Sequence, residues 1–265
     1  MSLIKNEEML EVAVEASLAA SDIIMESVHE PQIAKFKKSG ADLVTHTDLE
    51  SERIIKTFIK KNFPNHSILA EESDIKDNSS NYLWVIDPLD GTTNFVHGYP
   101  SFSVSIGIHY KMKPIVAVVL EMPHLRLYSA IINDGARCEG NKIKASKTKA
   151  LKDSLLITGF GYQHGELWEK NMYFFKRFTD KCHGVRRLGS AAIDICHVAT
   201  GQADGFWEYD LSPWDSAAGI LIAKEAGCMI SQLNGAEYNI YKNNILVTNG
   251  IIHKEMLEEF SNYSN

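Results

Sequence analysis

Two aspartates three residues apart, Asp87 and Asp90 in Trp84-Val85-Ile86-Asp87-Pro88-Leu89-Asp90-Gly91-Thr92-Thr93-Asn94-Phe95, are the residues of this 265-residue chain whose type and spacing point most directly to chemistry. The apolar run over residues 83–86 reads as a buried strand, and folding alone gives no reason to end such a strand in paired carboxylates. Pro88 fixes the backbone between them and Gly91 permits a close approach, so both carboxylates can point into one cleft with the Leu89 carbonyl between them. Such oxygens suit the hard ion Mg²⁺, which takes one or two carboxylates and completes its shell with water and substrate phosphate. Gly91-Thr92-Thr93 can then open a helical turn whose free N–H groups face an anion. An isolated Asp-x-x-Asp is as readily an Asx-turn or a capping pair. Here the Pro, the Gly-Thr and the preceding strand together favour a site.

Further carboxylates stand where elements leave the core. Glu71-Glu72 follows the apolar residues 67–70, although a Glu pair by itself usually marks a solvated loop. Asp215, in Pro213-Trp214-Asp215-Ser216-Ala217-Ala218-Gly219, stands where a helix begins and reads equally as an N-cap. Glu208 ends an apolar strand shortly before it. Asp48, in Asp42-Leu43-Val44-Thr45-His46-Thr47-Asp48, reads on physical grounds as the N-cap of the helix that follows.

The elements that must position these groups follow from periodicity. Helical spacing of apolar residues predicts helices over 7–28 and 49–63, the second ended by Pro64. Strands are expected over 67–70, 83–86, 102–110, 115–120 and 127–132, with Asp134-Gly135 and Gly140-Asn141 as turns. The second half alternates strands at 155–158, 185–188, 205–209, 229–232 and 245–247 with helices over 167–178, 191–200, 215–226 and 253–260. No repeat, low-complexity tract or linker divides the chain. The expectation is one α/β domain over residues 1–265, built of stacked helix and sheet layers.

Composition narrows the function. The chain is 45% hydrophobic and 23% charged, as soluble globular proteins are, and carries a net charge of −7. That balance argues against a nucleic-acid partner, which needs a basic face. The scattered cysteines Cys138, Cys182, Cys196 and Cys228 form no CxxC pair and read as buried free thiols in a reducing compartment. The acidic N-terminal segment lacks the basic head of a signal peptide, and no apolar run is long enough to span a bilayer, so a cytoplasmic protein without membrane attachment is expected. HExxH, GxSxG, P-loop and GxGxxG patterns are absent, and Gly159-Phe160-Gly161 reads as a loop.

Asp87-Pro88-Leu89-Asp90-Gly91-Thr92-Thr93-Asn94-Phe95 and Trp214-Asp215-Ser216-Ala217-Ala218-Gly219, with Glu225-Ala226-Gly227, resemble the two signatures of the inositol monophosphatase family, within the Mg²⁺-dependent, lithium-sensitive phosphatases. Glu71-Glu72-Ser73, Asp42-Leu43-Val44-Thr45 and Gly189-Ser190-Ala191-Ala192 fall in matching order, so the resemblance spans nearly the whole chain. It implies a layered αβαβα sandwich and two to three Mg²⁺ ions. Glu71, Asp87 and the Leu89 carbonyl would hold one ion; Asp87, Asp90 and Asp215 a second; Glu71 and water a looser third. Thr92 and Asp48 match the positions that orient the attacking water, with Glu71 the further catalytic candidate. The Gly91 and Thr92 N–H groups match the phosphate cradle. Asp90, Asp215, Gly189, Ser190, Ala191 and Glu208 match positions at the substrate. A homodimer is common among such proteins.

Two departures, Ala70 and Cys228 in place of glycines, touch no implied ligand. The implied reaction is hydrolysis of a small phosphorylated alcohol, with inositol monophosphate foremost. The alternatives are 3′-phosphoadenosine 5′-phosphate or NADP, fructose 1,6-bisphosphate, and an inactive metal-binding regulator. Arg186, Arg187 and Asp210 bear on that choice only if they face the cleft.

Overall fold

The computed structural model describes residues 3–28, 30, 35–36, 43–73, 80–161 and 164–263. Asp42 lies outside them. A short antiparallel pair, β1 (Lys35–Phe36) and β2 (Leu43–Val44), precedes a sheet whose seven strands are neighbours in space as in sequence. These are β3 (Ser67–Ala70), β4 (Tyr82–Asp90), β5 (Phe102–Tyr110), β6 (Lys113–Met122), β7 (Arg126–Ile131), β8 (Gly135–Cys138) and β9 (Asn141–Lys142), antiparallel except for the β3–β4 pair. A second sheet holds β10 (Leu155–Thr158), β11 (Gly184–Arg186), β12 (Gly205–Tyr209), β13 (Met229–Ser231) and β14 (Asn244–Thr248), in the order β11-β10-β12-β14-β13. The helices are α1 (Leu3–Ser27), α2 (His46–Asn62), α3 (Thr92–Val96), α4 (Glu166–Thr179), α5 (Ala191–Ala199), α6 (Pro213–Ala217), α7 (Gly219–Glu225) and α8 (His253–Ser261).

The two-residue period of the strands sorts these elements into layers. Trp84 and Ile86 of β4 share a core with Ala13 and Ala16 of α1 and with Ile55 and Ile59 of α2. Val85 between them faces the opposite way, into a core shared with Ile195 of α5, Leu221 and Ile222 of α7, and Phe206 and Val247 of the second sheet. Trp207 and Leu246 point out of that sheet's far side onto Phe174 and Phe178 of α4 and Phe260 of α8. The order is helix, sheet, helix, sheet, helix, which is the αβαβα sandwich.

Three expectations need correction. The helix expected over 49–63 begins three residues earlier, at His46, because Thr45 caps it. The helix expected over 215–226 is two helices meeting at Ala218, where Gly219 lies against Ile195: a Cβ on Gly219 would stand 3.0 Å from that side chain. Of the cysteines, all free, only Cys196 is buried. Among the described residues no helix is long and apolar enough to cross a membrane.

Candidate active site

Strand β4 does not stop at Ile86. It runs on to Asp90, but its register against β5 slips, so that Asp87 faces Ser105 and Asp90 faces Ser103. One extra residue is thus carried on β4, and the bulge turns the backbone where Pro88 has no N–H to contribute. The Leu89 N–H turns back onto Asp87 Oδ1 at 3.1 Å, and the Pro88 carbonyl accepts from Ser51 Oγ of α2 at 2.7 Å. Gly91 then takes φ +92°, and a Cβ there would stand 3.0 Å from the Ser101 carbonyl and 3.1 Å from that of Gly189. Only glycine fits a left-handed turn pressed between two backbones.

Asp48 and Asp215 reach the site by the same local device. Each is the third residue of a capping box: Thr45 with Asp48 at the start of α2, and Ser212 with Asp215 at the start of α6. Neither is therefore the N-cap that its position suggested. Asp48 Oδ2 accepts from the Thr45 N–H at 2.8 Å and Asp215 Oδ2 from the Ser212 N–H at 2.7 Å, which fixes both rotamers. Ser/Thr-x-x-Asp is legible in the sequence at both places. Asp48 Oδ1 is left to accept the Thr92 hydroxyl at 2.9 Å, with the Leu89 carbonyl second at 3.2 Å. The single hydroxyl proton goes to the nearer acceptor, the carboxyl oxygen.

The two sheets meet at Asp90. Its Oδ2 accepts from Ser190 Oγ at 2.6 Å and from the Ala192 N–H of α5 at 2.8 Å. Asn94, absent from the expected residues, fastens the same junction by donating to the Ser101 and Leu188 carbonyls at 2.6 and 2.7 Å. Glu52 of α2 was missed as well. It accepts from the Glu72 N–H at 2.8 Å and Ser73 Oγ at 2.6 Å, and so holds the segment that follows β3 and carries Glu71.

The electrostatics show one crowded acidic group. Burial, then the charges of Glu71, Asp90 and Asp215 and a hydrogen bond to Glu71, hold Asp87 well above the usual carboxylate range. Burial and the charges of Asp90 and Glu71 do the same to Asp215. Burial pushes Asp90 up to about 6, against the hydrogen bonds from Ser190 and Ala192 that pull it down. Among the described residues no three acidic, histidine or cysteine side chains converge tightly enough to cage an ion as they stand. The donor chemistry nonetheless suits a hard cation: every atom is an oxygen, and each added carboxylate makes the next harder to ionise until positive charge is supplied.

Glu208 extends from β12 to Gly159, where a Cβ would displace its carboxylate. It too is pushed well up, by burial and then by Asp194 and Asp90, against Arg187. Arg186 and Arg187 are exposed, and Arg187 Nη1 would lie 3.5 Å from a Cβ on Gly189. Asp194 of α5, outside the expected site residues, is buried with neither carboxylate oxygen bonded. Its place inside α5 gave no signal.

Fold and site together define an αβαβα enzyme with an acidic centre between its sheets. The chain belongs to the inositol monophosphatase family, whose sequence profile matches residues 5–265, and that places it among the phosphoric monoester hydrolases. It is 48% identical over 260 residues to the phosphatase IMPL1, chloroplastic, of Arabidopsis thaliana, covering 96% of this chain and 70% of that protein. It is 36% identical over 251 residues to the Nus factor SuhB of Escherichia coli, covering 94% of each. The solved structure of the inositol monophosphatase from Anabaena superposes with a TM-score of 0.86 at 37% identity, over 97% of both chains.

Proposed function

We propose that the chain is a single catalytic domain, a Mg²⁺-dependent phosphomonoesterase for small phosphorylated alcohols, with inositol monophosphate its leading substrate. The observation that carries this is the mutual electrostatic coupling of Asp87, Asp90, Asp215 and Glu71, brought from β4, α6 and the segment after β3, beside the Thr92–Asp48 hydrogen bond. Glu71, Asp87 and the Leu89 carbonyl would hold one Mg²⁺, and Asp87, Asp90 and Asp215 another, with Glu71 and water available to a third. Bound there, Mg²⁺ supplies Lewis acidity to the phosphate and lowers the pKa of a ligated water.

The chain's own part is positional. Thr92 donates its hydroxyl hydrogen to Asp48, so its oxygen is free to accept from a water and orient it; the water's proton would pass to Thr92 as the Thr92 proton moves to Asp48, which makes Asp48 the base. The Gly91 and Thr92 N–H groups lie at the opening of α3 for phosphate oxygens. Ser190 and the amides of α5, joined to Asp90, place Gly189, Ser190 and Ala191 beside the alcohol, and Glu208 offers oxygens to its hydroxyls. We read the compartment as cytoplasmic and the assembly as a homodimer.

Phosphate release by metal-stripped protein, with and without Mg²⁺, tests the reading across inositol monophosphate, fructose 1,6-bisphosphate, 3′-phosphoadenosine 5′-phosphate and NADP. Release that needs Mg²⁺ and is most efficient with inositol monophosphate is expected. Release persisting after exhaustive chelation overturns the metal dependence, and a more efficient nucleotide overturns the polyol preference. The likeness to a protein named as a Nus factor supports a second reading, a regulator that keeps the metal site for binding. Silence on every substrate by folded, Mg²⁺-bound protein would favour it.

A further inference from the structure

A groove of about 550 Å³ lies between the β5–β6 hairpin, α7 and the segment after β13, and none of the carboxylates of the active site lines it. Its floor is apolar, formed by Ile220, Leu221 and Ile240 among others. Its rim is apolar as well, which water does not favour: Met112 is 54% exposed and Met229 52%. Met112 is turned outward by the hairpin itself, since Lys111 and Met112 both take positive φ, +47° and +66°.

Polar side chains sit in this apolar setting. His109 is 1% exposed and reaches the groove, with Nε2 facing the Ala217 carbonyl at 3.4 Å. Its Nδ1 makes no hydrogen bond of good geometry, and the Met112 backbone is its polar neighbour. A buried ring nitrogen without a well-formed hydrogen bond is destabilising, so a ligand group that meets it recovers free energy. Lys113 and Lys224 line the groove against the single acid Glu237, and none of the three forms an ion pair among the described residues. The local charge is therefore positive on a chain whose net charge is −7.

We infer that this groove is a second ligand site, for a small organic anion with an apolar body. The volume falls within the few hundred to about 1,000 Å³ of small-molecule pockets, which favours a metabolite over a macromolecular partner. The apolar part would cover the floor between Met112 and Met229, the anion would lie between Lys113 and Lys224, and an acceptor or donor would meet His109 Nδ1. The groove also adjoins the active centre: Tyr238 in its wall bonds Ser216 Oγ at 2.8 Å, and Ser216 follows Asp215 in α6.

The probe is 1-anilinonaphthalene-8-sulfonate, an aromatic body with one anionic group, titrated by fluorescence and calorimetry into the full Mg²⁺-loaded chain. One saturable site is expected, undisturbed by excess inositol monophosphate. The double variant Lys113→Glu/Lys224→Glu is expected to weaken it at least tenfold, and Met112→Glu, on an exposed tip, severalfold. If the charge reversal lowers the thermal midpoint, Lys113→Gln/Lys224→Gln replaces it, with a severalfold loss expected. Displacement by inositol monophosphate, absence of a saturable site, or affinity unchanged in folded variants each overturns the inference.

Discussion

Thr92 has one hydroxyl proton, and its commitment to Asp48 decides what the oxygen can do in the cleft. Thr92→Val keeps the shape and removes the relay. We expect kcat to fall by about 10²–10⁴, the usual contribution of a positioned proton acceptor, with KM changed less than about twofold. Thr92→Ser should restore most of the rate; steady-state kinetics on the three proteins decides. Asp90→Asn should abolish turnover while the fold is kept, because an amide retains the contacts to Ser190 and Ala192 through its oxygen but loses the charge. Unchanged activity in that variant would refute the role proposed for Asp90.

At the scale of elements, the spacing of Ile55 and Ile59 was enough to find α2, but its first residues depend on a capping box that binds backbone groups rather than following a hydrophobic period. Thr45→Val should therefore cost about 1 kcal/mol in chemical denaturation and loosen Asp48 at the same time. Periodicity alone gave stacked helix and sheet layers, and the αβαβα order came with the family resemblance: Trp84 and Val85 feed different cores, but both are apolar and show no alternation in the sequence. The bulge between Asp87 and Asp90 was not legible, since an extra residue in a ladder shows only against its partner strand. Asn94 and Glu52 escaped for a related reason: their partners lie across turns or in other elements, out of reach of local pattern. His66, stacked between Phe63 and Tyr82 and accepting from Trp84 Nε1 at 3.0 Å, makes a further prediction. Burial, then the charges of Lys5 and Lys60, lower its pKa from 6.5 to about 4. Between those values the unfolded chain binds a proton that the folded chain refuses, so this contribution is complete above pH 6.5 and is lost as pH falls toward 4. At most about 3 kcal/mol is involved. An imidazole NMR titration should place the His66 midpoint near 4, and a midpoint near 6.5 would show that the stack is open.

On the scale of the whole molecule, the acidic centre joins the two halves of the sandwich, with Asp87 and Asp90 on the first sheet and Asp215 on a helix between the sheets. Metal binding should therefore register in global stability as well as in turnover. Because burial and mutual repulsion raise Asp87, Asp90 and Asp215, the folded metal-free protein keeps protons that the unfolded chain has released. That contribution is complete below the ordinary carboxylate pKa and is lost as pH rises, through about 6 in the case of Asp90. Mg²⁺ competes with those same protons, so it binds more tightly where they have left. At about 100 times its dissociation constant it would add about 2.7 kcal/mol, or about 5–10 °C in thermal midpoint for a chain of this size. The increment should be larger at pH 8 than at pH 5, should vanish with EDTA, and should shrink in Asp90→Asn. Scanning calorimetry with and without Mg²⁺ at the two pH values measures it directly. An equal increment at both would mean that these carboxylates do not hold the ion, whatever the rate of phosphate release.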